Sequence, residues 1–320
     1  MHVLIADKLP GGSFQNLADQ GVELTVDPAL KGETLLEALS TTAADALVVR
    51  STRVTAEMLA ASSLSLVVRA GAGFNTIDVD AASELGVFVA NCPGKNSFAV
   101  AELVIGLLLS ADRQIPNAVA ELRDGRWNKA KYSKARGLAG RCLGVVGGGR
   151  IGLAVAERAL ALGMDVRVWN IPGEGVEERC RQIGASFVED LHSLLEDVDA
   201  VTLHLAENDH TRGIAGREFF ERLRPGAIFI NTARSGLVDE QALQQALDER
   251  QIRAALDVFT GEAAGGTGEV SSELLKHPSV MATPHIGAST DQAQEAVAAE
   301  AARIVSSYLR NGVAPNVVNL

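Results

Sequence analysis

Short runs of β-branched and other apolar residues alternate with amphipathic helical stretches along nearly all of the 320 residues. Residues 2–6, 22–26, 46–50, 66–70 and 87–90 read as strands, and stretches such as 31–39 and 56–61 between them read as helices. Strands separated by helices need right-handed crossovers, and so form parallel sheets covered on both faces. The alternation breaks at 98–122, a mostly apolar stretch that reads as one long helix. A second series then places strands at 142–146, 165–169, 200–205, 227–231, 254–256 and 280–282. A last helix is expected at 290–309. The pattern predicts an α/β protein of two units, residues 1–96 and 97–287, and leaves open which unit the last helix joins.

Composition narrows the partners. A net charge of −11 argues against nucleic acid, because phosphate backbones need clustered Lys and Arg. It leaves room for a small anionic substrate, since a few local arginines outweigh a screened, distant acidic surface. The 3 cysteines, Cys92, Cys142 and Cys180, are far apart and odd in number. That fits a reduced cytoplasmic chain rather than a disulfide framework or a cysteine zinc site, and no metal is expected. Residues 103–111 form the most apolar stretch and are too few to span a bilayer. The first residues lack the basic and long apolar regions of a signal peptide. The stretch 261–268, GEAAGGTG, reads as a mobile surface loop.

Residues 142–152 read CLGVVGGGRIG, an apolar strand running into Gly147, Gly149 and Gly152 with a helix starting at Arg150. In that context the glycines suit a dinucleotide: Gly147 permits the tight turn, Gly149 lets a pyrophosphate approach, and Gly152 allows close helix–strand packing. The helix start offers free N–H groups and partial positive charge to phosphate. A ligand-free glycine turn is the alternative. The next strand ends at Asn170, where an acidic residue would bind the adenine ribose and repel a 2′-phosphate. Asn carries no such charge and no Arg follows at once, so NAD is expected and NADP stays open.

Further strand ends carry the candidate chemistry. Arg234, in NTARSGLVDE, has the planar fork that binds a carboxylate bidentately. His285, in ATPHIGAST, is a general acid/base candidate because its ordinary pKa lies near working pH. A carboxylate such as Glu262, in ALDVFTGE, would orient the imidazole and favour its charged form.

Several segments together, including RSTRVTAEML (50–59), RAGAGFNTIDVDAA (69–82), NCPGKNSFAVAELVIGLLL (91–109), GVVGGGRIG (144–152), NTARSGLVDE (231–240), LDVFTGE (256–262) and TPHIGAST (283–290), resemble the D-isomer-specific 2-hydroxyacid dehydrogenases over essentially the whole chain. Within that family the chain is most similar to the phosphoglycerate enzymes without their C-terminal regulatory domain. The resemblance implies a flavodoxin-like substrate domain, residues 1–96 plus 288–320, and a Rossmann NAD-binding domain, residues 97–287. It implies that the domains close over the ligand and that the last helix crosses back to the first domain. It implies a homodimer, with 98–122 in or near the interface.

The resemblance also assigns roles. Arg234 would hold the substrate carboxylate and carbonyl, His285 would be the acid/base and Glu262 its support. Arg150 and Ile151 would meet the pyrophosphate, and Asn170 the ribose. Thr232, Ala233, Asp257, Gly287 and Ala288 would lie on the nicotinamide side. Backbone at Ala72 and Gly73 would bind the carboxylate, Arg50 and Ser51 would help bind a substrate phosphate, and Asn96 would add a contact. Arg50 reads equally as a structural arginine. The first expected substrate is D-3-phosphoglycerate, with glyoxylate or hydroxypyruvate reduction the alternative. A corepressor-like NAD(H)-binding protein is the reading of another class. Three positions depart from the family pattern: Asn170 for an acidic residue, and Ala263 and Ala206 for prolines.

Overall fold

The computed structural model describes residues 1–10, 12–171, 175–263 and 267–319. The chain separates into two compact units, Met1–Asn96 with Ala288–Leu320, and Ser97–Gly287. No helix among the described residues is long and apolar enough to cross a membrane. Positions 264–266 of the glycine-rich stretch expected to be a mobile loop lie outside the described residues.

The first unit holds β1 (His2–Ile5), β2 (Glu23–Val26), β3 (Ala46–Val49), β4 (Leu66–Arg69) and β5 (Phe88–Asn91). They form an all-parallel sheet in the order β2-β1-β3-β4-β5. This is the flavodoxin-like doubly wound order. Val3, Ile5, Ala46 and Val48 enter one apolar cluster, and Leu4, Ala6, Leu47 and Val49 the other. Both strand faces are therefore buried, which is why these strands read as unbroken apolar runs rather than alternating ones.

The helix Asp291–Asn311 packs on this unit through Val297, Ala298, Ala301, Ile304 and Val305. Thr290 caps it by accepting the Ala293 N–H at 3.1 Å, and Gly312 ends it in a left-handed conformation. The tail beyond runs against β5: Asn91 N donates to the Asn316 carbonyl and Val318 N to that of Val89. A strand edge that would otherwise offer unpaired backbone groups is covered.

The second unit holds β6 (Cys142–Val146), β7 (Asp165–Trp169), β8 (Ser186–Phe187), β9 (Ala200–Leu203), β10 (Ile228–Asn231), β11 (Arg253–Leu256) and β12 (Val280–Ala282). Their order is β12-β11-β10-β9-β6-β7-β8, again all parallel. The order reverses at β6, and open sheets of this kind bind ligands outside the carboxyl ends at that switch point. Phe219, Phe220 and Phe229 pack edge-to-face in one of the two cores, with centroids 5.1–6.0 Å apart.

The single helix expected over 98–122 is instead two, Ser97–Arg113 and Ile115–Arg123, broken at Gln114 with φ 51°. The reason is Pro116: proline lacks an N–H and clashes with the preceding turn, so it is accommodated only in a helix's first turn. The two-residue strand β8 and the one-turn helix Lys129–Tyr132 were not expected, since neither is long enough to show a period.

A buried ion pair anchors the start of β6. Arg141 Nη1 lies 2.9 Å from Asp112 Oδ1, and Asp112 also accepts the Gly137 N–H at 3.0 Å. Asp112→Ala would leave a buried guanidinium with the Gly137 and Asp199 carbonyls but no carboxylate nearer than Asp199 Oδ1 at 3.7 Å. Such a loss should cost about 3 kcal/mol in urea unfolding, and a cost below about 1 kcal/mol would show that the pair is not an anchor.

Candidate active site

In the second unit the groups of interest sit past the carboxyl ends of parallel strands. After β6 the chain turns at Gly147, whose φ is 112° and whose Cβ, if present, would lie 2.7 Å from the His204 carbonyl. A Cβ on Gly152 would lie 1.9 Å from the Gly147 oxygen, so the helix Arg150–Ala161 packs on the turn only because both are glycine. Gly149 is different. It caps the helix with φ −72° and has nothing within 4 Å of a would-be Cβ. The protein itself does not require glycine there; an approaching pyrophosphate would. No side chain caps this helix, so among the described residues the N–H groups of Ile151 and Gly152, in its first turn, remain to serve a phosphate.

Asn170, just past β7, accepts the Gly148 N–H at 2.9 Å and donates to the Ile171 carbonyl at 2.7 Å. It therefore braces the glycine turn and places an uncharged amide beside it. Residues 172–174, where the sequence offers no phosphate-binding Arg, lie outside the described residues.

Arg234, Glu262 and His285 come together at the ends of β10, β11 and β12. His285 Nδ1 lies 2.7 Å from Glu262 Oε2. The other Glu262 oxygen accepts the Phe259 N–H at 3.1 Å. The hydrogen bond to Glu262 raises the His285 pKa above the ordinary imidazole value against opposing burial, with the Glu262 and Asp257 charges adding to it. Burial pushes the Glu262 carboxyl up, but His285, the Phe259 N–H and Arg234 together bring it below the usual range. Nε2 of His285 has no partner among the described residues. Burial lowers the Arg234 pKa while Glu207 and Glu262 counter it, and its Nη1 donates to the Ala233 carbonyl at 2.6 Å.

The loop carrying His285 is held by Asp257, which is 1% exposed. Its Oδ1 accepts the Thr283 hydroxyl at 2.6 Å and the Ile286 N–H at 2.9 Å, and its Oδ2 the Gly287 N–H at 2.8 Å. His285 itself has φ 51°, a conformation that costs a non-glycine residue about 1 kcal/mol or more. Asp257 and Gly287, expected on the nicotinamide side, thus face each other, and the Gly287 N–H is already engaged. The Thr232 hydroxyl is buried and has no partner among the described residues.

Sequence reasoning missed two residues here. His204, past β9, packs under Gly147 and bonds Thr202 Oγ1 at 3.0 Å, and burial drives its pKa down to about 3, so it is neutral. Glu207 lies near Arg234, in the space that Gly236 leaves for its carboxylate, and pairs with Arg212 at 3.0 Å. A strand followed by HLAEN was the only signal for either. Asp257 was found, but not as the residue that shapes the loop.

In the first unit, Asp7 organises residues 50–52. Its carboxylate accepts the N–H groups of Arg50, Ser51 and Thr52 at 2.6–3.1 Å and the Ser51 hydroxyl at 3.2 Å. Ser51 is thereby turned to Asp7, while the Arg50 guanidinium meets Gln294 at 3.3 Å. The N–H groups of Ala72 and Gly73 have no acceptor among the described residues, and the Ala72 carbonyl is held by Asn91 Nδ2 at 2.6 Å. Asn96 Oδ1 is buried without a partner among the described residues.

Two doubly wound sheets and a glycine turn feeding a helix start define an α/β protein of the dinucleotide-binding class, with a histidine–carboxylate pair beside an arginine at its strand ends. Residues 105–287 match the family described as D-isomer specific 2-hydroxyacid dehydrogenase, NAD binding domain, and the chain belongs to that family. It is 42% identical, over 99% of its length, to the D-3-phosphoglycerate dehydrogenase of Methanocaldococcus jannaschii, and spans 59% of that relative's length. It is 41% identical to the hydroxypyruvate reductase of Thermotoga maritima, over 80% of this chain and 82% of the relative. An NAD+-bound 3-phosphoglycerate dehydrogenase structure from Entamoeba histolytica superposes with a TM-score of 0.81 at 26% identity, covering 100% of this chain and 99% of that one.

The glycines make a separable prediction. Gly149→Ala should fold normally and weaken NADH binding, whereas Gly152→Ala should lose about 1–3 kcal/mol of stability through overpacking. Thermal melts with NADH fluorescence titrations distinguish them, and tight NADH binding by Gly149→Ala would remove the turn from the cofactor site.

Proposed function

We propose that this chain is an NAD(P)-dependent oxidoreductase moving hydride between nicotinamide and C2 of a small anionic D-2-hydroxy or 2-oxo acid. The observation that carries the reading is the 2.7 Å His285–Glu262 pair, with Nδ1 held and Nε2 left open, in the same group of charges as Arg234. We take Ser97–Gly287 as the dinucleotide-binding domain and Met1–Asn96 with Ala288–Leu320 as the substrate domain.

The residues present fit a dinucleotide: open space over Gly149, uncapped N–H groups at the helix start, and the orphaned Thr232 hydroxyl. The helix start holds the pyrophosphate, with Arg150 and Ile151 beside it, Asn170 meets the ribose, and Thr232, Ala233 and the loop reaching Ala288 line the nicotinamide side. NAD, when bound, supplies the hydride acceptor. Arg234 binds the substrate carboxylate and polarises the carbonyl. His285 Nε2 takes the hydroxyl proton in oxidation and returns it in reduction. Glu262 fixes Nδ1 and favours the imidazolium that forms. The free N–H groups of Ala72 and Gly73 suit a carboxylate, and Asn96 Oδ1 a hydroxyl.

D-3-phosphoglycerate is the first substrate on this reading, supported by Arg50 and by the likeness to phosphoglycerate dehydrogenases. Hydroxypyruvate or glyoxylate is the second, supported by the likeness to a hydroxypyruvate reductase. A spectrophotometric screen of phosphorylated and plain 2-hydroxy and 2-oxo acids with NAD and NADP tests both. Turnover of hydroxypyruvate alone would replace the first substrate by the second, and NAD(H) binding with no turnover of any acid would favour a binding protein.

His285→Ala should lower kcat about a hundredfold or more while NADH still binds. Reduction needs protonated His285, so the reductive rate should fall as pH rises through a pKa that Glu262 holds above the ordinary value. Glu262→Gln should move that limb to lower pH, and an unmoved limb would detach Glu262 from His285.

A homodimer fits the exposed helix Ile115–Arg123. It buries none of its residues and exposes Ile115, Val119 and Leu122 at helical spacing, with Trp127 79% exposed beyond it. A second copy of this chain is the occupant we propose. Sedimentation should give a dimer for the wild type and a monomer for Leu122→Arg; a monomeric wild type refutes it.

A further inference from the structure

The second unit has a cavity of about 290 Å³ at the amino ends of β11 and β12, the sheet edge opposite His285. Its size is near the lower end of small-molecule pockets, about 300 Å³. Its wall includes Arg113, Lys131, Lys134 and Arg253. Lys131 is paired with Glu121 at 2.7 Å. Arg113, Lys134 and Arg253 have no carboxylate partner among the described residues. The wall's one carboxylate, Asp112, is committed to Arg141 and to the Gly137 N–H. Arg253 donates Nη1 to the carbonyls of Ala111 and Asp112 at 2.7 and 3.2 Å, answering the carbonyl end of the helix Ser97–Arg113. The rest of its fork has no acceptor among the described residues.

Two neutral side chains strengthen the case. Gln114 and Gln251 both line the cavity, and both hold φ near 50°. Glycine would occupy either position at lower cost, so a side chain there is retained against the backbone's preference. Each brings an amide to a wall already rich in unpaired cations. In a chain of net charge −11, such a concentration of positive charge in a concave, polar site is a local reversal of the protein's field.

We propose that this cavity binds a small dianion of the phosphate or phosphomonoester class, separate from the substrate and cofactor positions. Arg113 and Lys134 are the exposed cations that recruit it, and Arg253 is the half-buried guanidinium that holds it in place. Burial disfavours charge on Arg253, and Arg141 and Arg136 disfavour it further, against Asp112 alone. A bound dianion would relieve that imbalance.

The probe is inorganic phosphate, titrated by calorimetry into the whole protein saturated with NADH, at ionic strength fixed with chloride. Saturable binding is expected, with a matching rise in Tm. The double variant Arg113→Gln with Lys134→Gln should weaken it at least tenfold and leave Tm in chloride unchanged. Arg50→Gln should leave it intact. Wild-type protein responding to phosphate no more than to chloride would overturn the proposal. So would binding lost in Arg50→Gln but kept in the double variant, which would place the anion at the substrate position. Loss of the dimer in the double variant with no phosphate binding by the wild type would assign the cavity to an acidic side chain of a second copy.

Discussion

A carboxylate buried at the end of a parallel strand must find donors or take up a proton. Asp257 finds them in the loop after β12: one hydroxyl and two backbone N–H groups. Those bonds hold residues 283–287 in one shape and keep His285 at a positive φ that few residues other than glycine adopt. His285 is further fixed by its own N–H, which donates to the carbonyls of Asp257 and Thr283 at 3.0 Å each. With the backbone so constrained, Nδ1 meets Glu262 Oε2 at 2.7 Å. The pair at the surface of the site therefore rests on a buried carboxylate beneath it.

The same division runs through the rest of the carboxyl edge. Gly147 and Gly152 are glycine because the protein leaves no room for anything else, and Gly149 is glycine although the protein leaves ample room. Asn170 uses its amide oxygen on the turn and its nitrogen on the next carbonyl. An aspartate could accept the same Gly148 N–H but could not donate to Ile171. The asparagine thus gains a second local bond where an aspartate would keep a charge for the ribose.

Much of this was legible before the structure. Strands buried on both faces carry a continuous apolar signal, so those through β1 to β7 and β9 to β12 stood out to within a residue or two at their ends. Residues with distinctive chemistry just past them, Arg234, Glu262 and His285, stood out for the same reason. What escaped was whatever depended on partners distant in sequence. Nothing in LDV tells that Asp257 reaches 26 and 30 residues ahead, or that His204 lies under a glycine some 57 positions earlier. The break at Gln114 is a different failure. Pro116 was in plain view within an apolar period, and its exclusion from a helix interior outranks that period.

The geometry of the first unit bears on how selective the proposed enzyme is. Asp7 gathers the backbone N–H groups of residues 50–52, which would otherwise form a ready anion nest, and takes the Ser51 hydroxyl as well. A substrate phosphate approaching this strand end meets a carboxylate already satisfied and one guanidinium, that of Arg50, lightly tethered to Gln294. One charge-assisted contact is worth about 1.5–3 kcal/mol, a preference of roughly ten- to a hundredfold. That is enough to favour a phosphorylated acid and too little to exclude a plain one. On this argument the two substrate readings are not rivals at the level of the reacting carbon. The proposed roles of His285, Glu262 and Arg234 would be the same for either acid, and the phosphate preference proposed here would come from Arg50 at the carboxyl end of β3.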